Sequence, residues 1–139
     1  MNLRTSLLAA ATGAALLTTS TIAVAEKDSY DARNAQKLAK ALAGRAPGQP
    51  VGCISNSRGS QMTVVDDYTI LFKEGGTVYV QKPKGGCHGL GSSNYTLVTR
   101  IAGSNRLCNG QIGEMVDRVS GFSYGSCVFD QFVPYRKVR

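Results

Sequence analysis

KGGCHGLGSSNYTLVTRIAGSNRLCNG, residues 84–110, places two cysteines, Cys87 and Cys108, on either side of a strand-like run. Glycines and serines crowd its first half. Asn94 to Ile101 has the β-branched and aromatic content of a strand, and Gly103-Ser104-Asn105 has the composition of a turn. The stretch therefore predicts a β-hairpin stapled at its ends, with an irregular glycine loop ahead of it. Such a staple persists only where thiols are oxidised.

Outward towards the N-terminus, the chain begins with the basic MNLR and continues through an uncharged run rich in alanine, leucine and threonine. That run closes on Ala23-Val24-Ala25, an A-x-A pattern followed by Glu26, which predicts a secretory signal cut after Ala25. Its apolar core is short and broken by threonines and Gly13, which argues against a membrane anchor. Residues 26–139 remain as one small domain with no transmembrane segment, located in the periplasm or outside the cell. The removed segment holds Arg4 and no acid, so the net charge changes only from +7 to +6.

A domain of this size has a modest core, and covalent ties help it. Cys53, Cys87, Cys108 and Cys127 all lie in the mature part, and an even count in an exported domain predicts two disulfides. Four cysteines allow three connectivities. The expected hairpin favours Cys87–Cys108, which leaves Cys53–Cys127 by elimination. Zinc is a poor alternative, because the chain has no C-x2-C pair and its one histidine, His88, adjoins Cys87.

The rest reads as α+β, mainly β. Glu26 to Ala43 predicts a helix, capped by Asp28 or Ser29, with Asp31 in its first turn and Lys37 and Lys40 near its end. Its apolar stripe is Ala35, Leu38, Ala39 and Leu42, and Gly44 stops it. Arg45 to Pro50 predicts a stiff connector. Strands are then expected at Val51–Ile54, Gln61–Asp66, Thr69–Lys73, Thr77–Gln81, Asn94–Ile101, Arg106–Ile112, Glu114–Val119 and Ser126–Tyr135. Glu74-Gly75-Gly76 marks a tight hairpin, its glycines supplying positive φ. Short strands with glycine punctuation predict a small antiparallel sheet or open barrel.

Cys53-Ile54, Val65-Asp66-Asp67 with Ile70, Gly76 with Tyr79, Cys87 with Gly89-Leu90, Arg106-Leu107-Cys108 and Gly125-Ser126-Cys127 with Phe132 together resemble a set of small exported proteobacterial proteins of unknown function. The resemblance spans Val51 to Phe132. It implies a periplasmic or secreted protein and no particular activity, so it assigns no catalytic residue.

Chemistry is sparse. His88 has the side chain suited to proton transfer near neutral pH, but no nucleophile motif frames it. Asp66 and Asp67 are adjacent, so on a strand they point to opposite faces, and a polar turn explains them better than a carboxylate pair. The glycines at 85, 86, 89 and 91 lack the G-x-x-x-x-G-K-[ST] pattern and a following helix, and serve instead to turn the backbone about a disulfide. No cofactor motif is present.

Charge carries more. Lys82 and Lys84 flank the glycine loop, and Arg136, Lys137 and Arg139 close the chain. These five are the candidate anion-binding residues, suited to an anionic envelope component or another periplasmic protein. Without tryptophan, the aromatic content is thin for base stacking, so nucleic acid is a poor partner. The expected function is non-enzymatic binding or envelope association. The alternative is a small hydrolase or enzyme inhibitor using Gly86–Gly91.

Overall fold

A computed structural model describes residues 21–56, 60–100, 103 and 105–139, with the side chains of 21–25 left aside. Residues 1–20 of the expected signal segment, Ser104 of the expected turn and Ile101 at the end of its strand lie outside the described residues. Helix α1 spans Thr21–Leu42 and strands β1 to β3 span Arg45–Pro47, Cys53–Ser55 and Gln61–Asp66. Strands β4 to β7 are Thr69–Glu74, Thr77–Gln81, Tyr95–Thr99 and Arg106–Cys108. Ile112–Asp117, Ser123–Val128 and Phe132–Lys137 form β8 to β10. The expectation of a mainly β protein with an N-terminal helix, antiparallel pairing and two disulfides holds.

A small antiparallel sheet or open barrel was expected, and among the described residues three sheets form. A five-stranded sheet runs β1-β10-β5-β4-β3, a three-stranded one runs β6-β8-β9, and β2 pairs with β7. Every pairing is antiparallel. The β4–β5 hairpin closes as expected, with Glu74 opposite Thr77 across Gly75-Gly76. Of the two glycines only Gly75 takes a positive φ, 55°.

All three sheets send side chains into one core. Ile70 and Phe72 come from β4, Phe132 from β10, Leu97 and Met115 from β6 and β8, and Ile54 and Leu107 from β2 and β7. Phe72 meets Phe129 and Phe132 edge-on, at 6.2 and 5.8 Å between ring centroids, an arrangement favoured by the ring quadrupoles.

Among the described residues, the hairpin expected between Asn94–Ile101 and Arg106–Ile112 does not form. Strand β6 pairs instead with β8, and β7 pairs with β2. Register then places Cys108 directly opposite Cys53, and those two form one disulfide. Cys87 is left to bond Cys127 on β9. The expected Cys87–Cys108 and Cys53–Cys127 pairing is therefore wrong. Ile54 and Leu107 explain why: both are buried side by side in the core, and covering that pair outweighs the convenience of a local turn.

Ser126–Tyr135 is likewise two strands. The buried Gln81 donates from Nε2 to the Asp130 carbonyl at 2.6 Å and accepts the Asp130 N–H at 3.2 Å. One amide side chain thus satisfies both peptide groups of the corner where the chain passes between sheets. The connector after the helix also differs, since Arg45–Pro47 pairs with β10 at the sheet edge, a place where proline is tolerated.

Helix α1 starts before the expected cap, so Ser29 is interior and its hydroxyl donates to the Glu26 carbonyl. Gly44, with φ 66°, does end it. The side chains turned to the sheet are Asn34, Leu38, Ala41 and Leu42, whereas Ala35 and Ala39 are exposed. Leu38, Ala41 and Leu42 pack on a second cluster of Val65, Leu71, Val78 and Val80.

Candidate functional site

The helix covers the five-stranded sheet incompletely, and a groove of about 380 Å³ opens along the join. Its apolar floor is Leu71 of β4 and Val78 of β5, with Ala41 of the helix as a wall. Leu71 and Val78 stand opposite Val80 and Lys73 on paired strands, so strand alternation puts Leu71, Lys73, Val78 and Val80 on the same, helix-facing side. Gln61 and Thr63 of β3 form one rim.

Among the described residues four cations line this groove: Lys37 and Lys40 from α1, Arg45 from β1 and Lys73 from β4. None of the lining residues is acidic. Glu74, next to Lys73, projects to the other side of its strand. Lys37 Nζ donates to the Val64 carbonyl, and Arg45 Nη1 donates to the carbonyls of Gly76 and Tyr135. These bonds hold two of the charges in place at the groove wall. Among the described residues the ion pair is Arg100–Glu114, elsewhere on the surface, and Lys40 and Lys73 make no side-chain hydrogen bond. Arg33 joins Lys37 and Lys40 on the outer helix surface.

The five candidate anion-binding cations fall at several places in the fold. Lys82 lines a separate cleft that also holds Asp130. Lys84 is fixed through its backbone, its N–H bonding the Val128 carbonyl. Arg136 and Lys137 are consecutive on β10 and so face opposite sides. Of the five, Lys137 comes beside the groove set, directly opposite Arg45 across β1 and β10. Arg139 lies past the end of β10. The residues that sequence reading passed over as a site are Lys37, Lys40, Arg45 and Lys73. The signal was present in part: Arg33, Lys37 and Lys40 at helical spacing share one face.

The glycine loop is a second, structural feature. Asp67 accepts the Gly89 N–H at Oδ2 (3.0 Å) and the Gly91 N–H at Oδ1 (2.7 Å), while its carbonyl accepts the Cys87 N–H. Asp66 accepts the Tyr68 N–H within the turn. The two aspartates act separately, one on the turn and one as a clamp on the loop. Gly85, Gly86 and Gly89 take φ of 73°, 81° and 95°, and any side chain at Gly86 would strike the Tyr68 ring.

His88 is exposed, its ring edge-on to Tyr68 with centroids 5.5 Å apart. Among the described residues it has no hydrogen bond to a serine or carboxylate. Below the loop, Tyr95 stacks on Tyr124 at 4.3 Å. A bulge in β9 opposite Met115 and Val116 re-aims Tyr124 into that stack. Desolvation, with Tyr124 and Asp117 adding to it, raises the Tyr95 phenol above its ordinary 10.0.

All four cysteines are in disulfides, so none is available to zinc. No described helix is long and apolar enough to cross a membrane. Set against family models, curated proteins and solved structures, the chain matches none.

Proposed function

We propose that this is an exported, non-enzymatic binding protein of the bacterial envelope, akin to the small proteobacterial proteins it resembles, whose mature chain starts at Glu26 and whose partner is anionic. The observation that carries the reading is the groove between α1 and the sheet, where four cations gather with no acid among them. Like charges held together destabilise a fold, so such a cluster is most readily explained by a partner that neutralises it. Disulfides fit an oxidising compartment, and the mature charge of +6 fits attraction to anionic surfaces.

The test uses the mature chain with vesicles of phosphatidylglycerol or of phosphatidylcholine. Adsorption to the anionic vesicles should be strong at low salt and fall markedly at moderate salt, because screening acts over about 8 Å at physiological ionic strength. Adsorption that ignores both lipid charge and salt contradicts the reading. Mass spectrometry of protein recovered from the envelope checks the start at Glu26.

A further inference from the structure

Resting on that reading, we propose that the groove takes a single-chain anionic amphiphile, its alkyl or acyl chain on the Leu71–Val78 floor and its phosphate or carboxylate head on Lys40 and Lys73. The floor is the first ground. Leu71 and Val78 are buried, only 4 % and 5 % exposed, yet they form the bottom of an open groove. Over them the lining is Ala41 and the aliphatic stems of Lys37, Lys40 and Lys73. An alkyl chain laid there would bury its own methylenes against these apolar groups, from which a purely ionic ligand would gain nothing.

The cations are the second ground, and they divide by role. Lys37 and Arg45 spend hydrogen bonds on backbone carbonyls and brace the walls. Lys40 and Lys73 come from opposite walls, are exposed, and among the described residues keep all three ammonium donors for a ligand. A neutral lipid would leave these charges unmet, and a polyanion would leave the floor unmet. A volume of about 380 Å³ is at the small end of ligand pockets, roughly 300–1,000 Å³, which suits one chain.

Isothermal titration of the mature protein with dodecyl phosphate, below its micelle concentration, tests this beside inorganic phosphate and dodecyl maltoside. Dodecyl phosphate should bind at least about tenfold more tightly than either, since burial of a few methylenes supplies that much. Thr63→Trp, at an exposed rim position, fills the groove and should abolish the preference. Lys40→Ala with Lys73→Ala should bring dodecyl phosphate down to the level of dodecyl maltoside. Thermal melts confirm that each variant is folded. If vesicles adsorb the protein but dodecyl phosphate binds no better than inorganic phosphate, the amphiphile is wrong while the anionic partner stands. Failure of vesicles and dodecyl phosphate alike overturns both. Tight binding that survives Thr63→Trp places the ligand elsewhere and overturns the assignment to this groove.

Discussion

Asp67 binds two loop N–H groups through its carboxylate and a third through its carbonyl, so one residue fixes the segment that carries Cys87. Asp67→Ala should cost about 2 kcal/mol, the value of hydrogen bonds to a charged group, read as a lower urea midpoint. Adjacent aspartates were legible as polar turn residues, but the clamp was not, because its partners are 22 and 24 residues away. Asp117 repeats the device locally. The N–H and hydroxyl of Ser120 and the Val119 N–H bond its carboxylate and lower its pKa below the ordinary 3.8. A depressed carboxylate stabilises the fold above the unfolded pKa, and that contribution is lost as pH falls through the folded one. Asp117→Asn should therefore lower the urea midpoint near neutral pH, with the deficit shrinking at about pH 3. A deficit constant with pH would mean that the charge is irrelevant to the turn.

Strands β3, β4 and β5 matched their expected spans closely because each lies next to its pairing partner in sequence, joined by a turn of suitable composition. Strands β6 and β7 are also neighbours in sequence, yet β6 skips β7 to pair with β8, and β7 pairs with the distant β2. No local pattern encodes that choice, which is made by burying Ile54 against Leu107 and Leu97 against Met115. The Cys53–Cys108 disulfide joins residues that the β2–β7 register sets opposite each other. The sequence separations of the two disulfides are 55 and 40 residues, for which loop entropy gives about 4 kcal/mol each. Access separates them instead. Cys87 and Cys127 are buried at 0 % and 4 % exposure, whereas Cys53 and Cys108 are half-buried on a two-stranded sheet. Mild reduction in the native state, followed by alkylation and peptide mapping, should open Cys53–Cys108 first. Labelling of Cys87 and Cys127 ahead of that pair would show the core to be more open than its packing implies.

Across the whole molecule, net charge is a property of the sequence, but where charge gathers is a property of the fold. The run Tyr135-Arg136-Lys137-Val138-Arg139 is the densest basic run in the sequence, yet strand alternation splits Arg136 from Lys137. Lys40 and Lys73, far apart in sequence and unremarkable there, line one groove. Comparing two double variants separates these views. Arg136→Gln with Arg139→Gln and Lys40→Gln with Lys73→Gln each remove two positive charges. If adsorption to anionic vesicles depended on net charge alone, both would lose equally. With about 1 kcal/mol for each cation near a membrane surface, the groove pair should lose up to about 2 kcal/mol, and the C-terminal pair distinctly less. The measurement is the vesicle partition coefficient of each variant at one fixed low salt concentration. A larger loss from the C-terminal pair would move the anionic contact to the end of β10 and leave the groove without this role.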